Sequence, residues 1–291
     1  MGAKLLQLSN IFNKFFLLGL FIEFTQLLAR KPYIVWRPPW ELRWDISYKT
    51  SKDLVVMETT LIFKTFLILG FQLALVFGVC LWVITMSRKA ASEKKPFFGV
   101  TFSEGTNSRG EQDLQPVEVG SGLQILTYVN IASLFAMVIT AHFSLTWGLV
   151  TMTTTSLTLG PVLGMIMLNM DENDGLRALQ LTVLITFAAG VIGMYSGLDF
   201  SGLGIYLGFA LLGLILLRLV MLFTNFASGQ RRLIAIGGAI LFTLFLLYDF
   251  NRLAALDEQG VNDWETALQI AVSLYLDIIN LLLELLEASS N

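Results

Sequence analysis

SLYLDIINLLLELLE, residues 273–287, is the stretch whose reading decides the fold. It is apolar enough for a membrane-spanning helix, yet Asp277 sits in its middle. A charged side chain at the centre of such a helix costs about 2.5 to 3.5 kcal/mol on insertion scales. Residues three, four and seven apart share one helix face. From Asp277, that face holds Ser273, Asn280 and Glu284, and Gln269 and Glu287 extend it. The opposite side is dominated by Leu and Ile. Lipid cannot satisfy a polar stripe, so this helix must turn it toward a bundle interior or a water-filled cavity. For Ser273 and Asn280, plain interhelical hydrogen bonding is as good an account as function. For Asp277 a functional role is favoured, because a carboxylate is an expensive way to make a hydrogen bond.

Composition agrees with a membrane setting. Of 291 residues, 55% are hydrophobic and only 14% charged, which no ordinary soluble domain matches. Several runs reach the roughly 20 apolar residues a spanning helix needs. The net charge of −3 gives no reason to expect a nucleic-acid partner. Cys80 is the single cysteine and lies inside an apolar run, so no internal disulfide is possible.

Seven spanning segments are expected near 60–86, 122–142, 145–168, 177–197, 202–224, 233–252 and 265–287. Residues 1–57 read as an N-terminal extension. Its apolar stretch 11–29 carries Lys14 and Glu23 and suits a helix lying in the interface or packed on a partner better than a spanning one. Trp36, Trp40 and Trp44 then recur every four residues beside Arg37 and Arg43, as in a headgroup-layer anchor. The polar 87–120 connection, rich in Gly, Ser and charge, reads as a mobile loop. The other connections are short, which favours one bundle. Lys and Arg divide almost evenly between the two sides, so the positive-inside rule gives no orientation.

A second carboxylate, Asp249, stands near the end of the preceding segment in LFLLYDFNRLAAL. Arg252, one turn on, offers it a helix-end ion pair. The two segments are consecutive and closely linked, so Asp249 and Asp277 are expected to approach each other. Neighbouring carboxylates titrate as a coupled pair. Two oxygen donors also begin a site for a hard cation such as Ca²⁺. One pair can then be both proton sensor and cation gate.

At these residues the chain resembles the transmembrane Bax-inhibitor-motif family, which includes the YetJ-like and YccA-like bacterial proteins. LLYDFNRL and SLYLDIINLLLELL are similar to its C-terminal signature. TSLTLGPVLG at 155–164, GLDFSGLGIYLGFAL at 197–211 and TLIFKTFLILGFQLALVFGV at 60–79 resemble its third-helix motif, its fourth-to-fifth turn and its first helix. The resemblance covers roughly 58–287. It implies an all-α polytopic membrane fold of seven helices, six around the last. It also implies a pH-sensitive Ca²⁺ leak governed by an aspartate pair, matched here by Asp249 and Asp277. Three features depart from the family pattern. Glu284 and Glu287 stand where tails are commonly basic. TAHFSLTW offers His142 but no arginine ahead of the Thr-Pro motif. The 253–263 connection looks long. Arg218, Arg252 and His142 are the candidate partners of the pair. For Arg218, snorkelling to the interface is the simpler expectation. For His142, it is a plain interfacial position.

One His and one Cys make a catalytic triad or a zinc site improbable, and no phosphate-binding glycine loop follows a strand. The chain is therefore not expected to be an enzyme or to carry a cofactor, Ca²⁺ aside. The leading expectation is a pH-sensitive Ca²⁺ leak channel or exchanger. The alternative is a non-transporting regulatory or structural subunit that binds other membrane proteins through residues 1–57: a protease or cell-death modulator, or an accessory subunit of a large membrane complex. Bacterial inner membrane, endoplasmic reticulum or Golgi, and mitochondrial inner membrane all fit.

Overall fold

The computed structural model describes residues 19–22, 24–26, 59–106, 112–118, 121–168, 170, 172–224 and 226–289. Among these, seven helices are long and apolar enough to cross a membrane. They are α1 (Leu61–Ser92), α2 (Ser121–Thr140), α3 (Leu145–Leu168), α4 (Glu172–Tyr195), α5 (Leu203–Phe223), α6 (Ser228–Glu258) and α7 (Trp264–Ser289). Residues 19–22 and 24–26 are also helical. Trp36, Trp40 and Trp44 lie outside the described residues.

The last helix is central. Nearly every side chain of α7 from Ala267 to Leu286 is buried, on the apolar side and the polar side alike. It packs against α1, α3, α4 and α6. The outer helices α1, α4 and α5 instead leave large apolar side chains such as Phe71, Phe187 and Phe209 facing outward. Outward-facing apolar rings suit a lipid solvent, where a soluble protein would have hidden them. The chain is an integral membrane protein.

Close packing between the outer helices follows from small residues. A Cβ on Gly160 of α3 would meet the carbonyl oxygen of Val76 in α1 at 2.9 Å and the Val79 side chain at 2.7 Å. Only glycine lets the two backbones come this near. Next to Gly160, Pro161 lies inside α3. The hydroxyl run of α3 mostly bonds its own backbone. Thr151, Thr154, Thr155 and Thr158 each donate to the carbonyl four residues back, which satisfies hydroxyls where water is absent. Across to α2, Asn130 Nδ2 donates to Thr158 Oγ1 at 2.9 Å.

Three connections are more ordered than their composition suggests. The 87–120 stretch was expected to be a loop. α1 runs on to Ser92, and an antiparallel hairpin follows, β1 (Thr101–Thr106) with β2 (Gln112–Glu118). Its foot is held because Val100 is buried beside Val83, Leu123 and Met165, with Phe97, Phe98 and Phe102 around them. The 253–263 connection looked long because its polar residues were read as loop. α6 continues through Glu258, so only a short turn remains before Trp264. Lys64 of α1 clamps that turn: Nζ donates to both the carbonyl and the side-chain oxygen of Asn262 at 2.9 Å and lies 5.3 Å from the Trp264 ring centre. Finally, Asn251 of α6 holds the turn between α4 and α5. Its Nδ2 donates to the carbonyls of Gly193 and Leu198, and its Oδ1 accepts from Phe200 N–H.

Asn251→Ala would leave those groups without their partner. The expected result is a loss of roughly 1–3 kcal/mol, read as a fall in the detergent-solubilised melting temperature. An unchanged melting temperature would show that the clamp carries no weight.

Candidate functional site

The polar stripe of α7 is where the buried charges gather. Asp277, Asn280, Ser273 and Glu284 are all at most 2% exposed. Asp249 on α6 is 1% exposed, and Arg252 one turn later is also buried. Helices α6 and α7 are joined by a short turn and run antiparallel. Their register is visible where Glu284 lies against Gly238: a Cβ there would come 2.0 Å from Glu284 Oε1. Counting back along both helices from that contact sets Asp249 level with Ser273, one turn from Asp277. The rise of about 1.5 Å per residue makes that step roughly 6 Å along the axis. The two aspartates therefore sit at nearly the same depth on packed neighbours, both out of solvent.

Arg218 is the residue whose place the sequence reading missed. It does not snorkel to the interface; it is 4% exposed. It reaches from α5 to α7, where one guanidinium nitrogen donates to Glu284 and another to Glu287. Two acids at the end of the central helix are thus met by one planar guanidinium fork. The arginine that was a candidate partner for the aspartates is engaged with the acidic tail. A signal for this was present. Arg218 stands five residues before the end of α5 and Glu284 five before the end of α7. The two helices point the same way, so the charges share a depth. Gly238 completes the arrangement, because any side chain there would occupy the space of the Glu284 carboxylate.

His142 is exposed in the turn between α2 and α3, with Nδ1 2.9 Å from the Val138 carbonyl oxygen. That carbonyl can only accept, so Nδ1 carries the proton. Nearby Gly148 packs against Leu268 near the start of α7, more than two turns from Asp277. His142 is placed at the end of the bundle, apart from the aspartates.

Two further polar contacts to α7 had no sequence signal. On one side, Tyr275 hydroxyl shares a 3.3 Å bond with Ser156 Oγ of α3, and Ser156 donates to Gln72 Oε1 of α1 at 2.8 Å. On the stripe side, Ser273 Oγ donates to Oε1 of buried Gln26 at 3.1 Å. Asn280 Oδ1 lies where Gly19 has room for it, 2.9 Å from the position a Cβ would take. Gly19 to Gln26 and Ser273 to Asn280 are equal spans of two helical turns, so the N-terminal segment runs antiparallel along the stripe. Leu20 and Ile22 are fully buried and belong to the same core as α7. This part of the extension is packed into the chain's own bundle, where the sequence suggested the interface or a partner.

Among the described residues, no three His, Cys, Asp or Glu side chains come together as a metal-binding group. A pair of carboxylates alone is a weak, exchangeable cation ligand set, since Ca²⁺ takes about six to eight oxygens.

A family model described as "Inhibitor of apoptosis-promoting Bax1" matches residues 58–290. Uncharacterized proteins of Borreliella burgdorferi and of Helicobacter pylori strain J99 are similar to this chain. The first is 37% identical over 100 residues, 33% of this chain and 43% of that protein. The second is 30% identical over 130 residues, 45% of this chain and 54% of that protein. The chain thus spans about half the length of the curated relatives it matches.

Arg218→Met should be severe, by roughly 3–5 kcal/mol, because it strands the fully buried Glu284 carboxylate. Adding Glu284→Gln to it should recover part of that loss, since one stranded charge is removed. Melting temperature and yield of folded protein in detergent measure both effects. A double variant no better than the single would refute the ion-pair account.

Proposed function

The chain belongs to the family of the inhibitor of apoptosis-promoting Bax1, and on that premise we propose that it is a pH-sensitive Ca²⁺ leak channel or exchanger-like membrane protein in which Asp249 and Asp277 form gate and sensor. One observation carries the reading: two carboxylates are buried at neighbouring depths on packed helices, one of them the central helix. Burying ionisable groups there is costly, and the hydrogen-bonding needs of the bundle do not require acids. Ca²⁺ is cargo in this reading, held briefly by the aspartate oxygens. Its remaining oxygens come from water and neighbouring polar groups. The activity is passage of an ion, with no bond made or broken.

Protonation couples to passage because the pair titrates as a unit. Among the described residues, the charged groups on the elements packed against the pair are as follows. Arg252 shares α6 with Asp249, and Glu284 with its partner Arg218 lies two turns along from Asp277. Helix α3 carries no charged residue, α4 carries its charges in its first turns, and α1 has Lys64, Arg88 and Lys89 near its ends. No histidine lies near the aspartates: His142 is at the end of the bundle.

The alternative, a regulatory subunit docking through residues 1–57, loses some support where residues 19–26 pack on α7.

Ca²⁺ flux into proteoliposomes, followed from about pH 6 to about pH 8, tests the proposal. The wild type should show pH-dependent flux, and Asp249→Asn or Asp277→Asn should flatten that dependence and change the rate about tenfold, a barrier change of ~1.4 kcal/mol. Flux that keeps its pH profile in both variants would rule the aspartates out as gate. No flux at any pH would move the function to the regulatory alternative.

A further inference from the structure

We propose that the N-terminal segment, through its residues 19–22 and 24–26, is a built-in stopper: it lies along the polar face of α7 and closes the aspartate site from that side. This deepens the transport reading and rests on it for its consequence, though the occlusion itself can be tested without any flux.

Ser273 and Asn280 flank Asp277 on one face of α7, and the extension approaches both. The fit is made on both sides. Gly19 leaves room for Asn280 Oδ1, since a Cβ there would approach it to 2.9 Å. Gln26, 2% exposed, brings an acceptor to the Ser273 hydroxyl. The equal two-turn spacing of the two contacts holds the segment parallel to the helix axis, directly over the turn that carries Asp277. Leu20 and Ile22 seal its inner side.

Gln26 Nε2 and Asn280 Nδ2 are buried in this contact and meet no protein hydrogen-bond acceptor. The segment also lies outside residues 58–290, which match the family model. The stopper is therefore an addition to the shared bundle, covering that bundle's own central polar face.

A cross-link between the two surfaces tests this in the full chain. Cys80→Ala removes the one native thiol. Gly19→Cys and Asn280→Cys then place two thiols in contact, because the Cβ position at 19 lies 3.9 Å from Asn280 Cγ, near where a cysteine sulfur would stand. In proteoliposomes, the oxidised protein should pass Ca²⁺ at least about tenfold more slowly than the same protein after reduction, a difference of ~1.4 kcal/mol in barrier. Equal flux in the two states, with the cross-link formed, would overturn the stopper. Failure of the transport reading looks different: no flux in either state. Reactivity then decides. With Ser273→Cys in the Cys80→Ala chain, labelling by a charged, water-soluble methanethiosulfonate should be slow. Adding Gly19→Leu, which forces the segment away from Asn280, should speed it about tenfold or more. Equal labelling with and without Gly19→Leu would refute the occlusion, whatever the flux.

Discussion

A membrane helix cannot show a carboxylate and two amide or hydroxyl groups to lipid, and the rest of this structure is arranged around that prohibition. The stripe Ser273–Asp277–Asn280–Glu284 forces α7 inward. Once α7 is central, its Leu and Ile side is buried as well, so the whole helix disappears from the surface. Four helices, α1, α3, α4 and α6, pack directly on it, and α2 and α5 complete the bundle outside them. Their outward faces are left apolar, which suits lipid and would be a fault in water. Fold class, helix order and burial thus follow from one requirement on one helix.

The stripe is satisfied differently along its length. At its C-terminal end, two acids meet an arginine from an outer helix, with Gly238 making the room. Replacing such a buried ion pair by apolar residues of the same shape is often neutral or stabilising. Its survival here therefore suggests specificity more than strength. Arg218 fixes the depth and rotation of α5 against a helix it otherwise scarcely touches. Further along, the hydroxyl of Ser273 and the amide of Asn280 are met by the N-terminal segment. Asp277 lies within this second zone, between Ser273 and Asn280, and Asp249 is level with Ser273.

Much of this was legible in the sequence, because period and hydrophobicity survive the loss of context. Seven apolar runs and the polar face of α7 could be read from spacing alone. The centrality of α7 followed, since no other position satisfies Asp277. Segment ends were less legible. Helix α6 extends past its apolar run, since its last two turns, with Asp257 and Glu258, need no lipid and continue as helix in the interface. The hairpin after α1 was hidden by its polar strands and by the glycines around them, while the aromatic foot that anchors it reads as an unremarkable apolar patch. The ion pair of Arg218 was hidden for a different reason. Snorkelling and burial give an arginine near a helix end the same local sequence, and only the partner helix tells them apart.

The N-terminal segment was the least legible element, and the reason says something about how such a site is controlled. Its charges and short length fit an interfacial helix, and nothing in residues 11–29 announces a partner. The partner is the stripe itself, and the match is of the simplest kind: a glycine where an amide must enter and a glutamine where a hydroxyl must be answered, two turns apart. A contact built from so few groups is weak by design, since each neutral hydrogen bond nets only about 1 kcal/mol, and here two of the amide donors are left unsatisfied. Among the described residues of the segment, Leu20 and Ile22 are fully buried in the same core as α7. The segment that answers Ser273 and Asn280 is also the one proposed to cover Asp277, which ties the fit of a glycine and a glutamine to the control of the site.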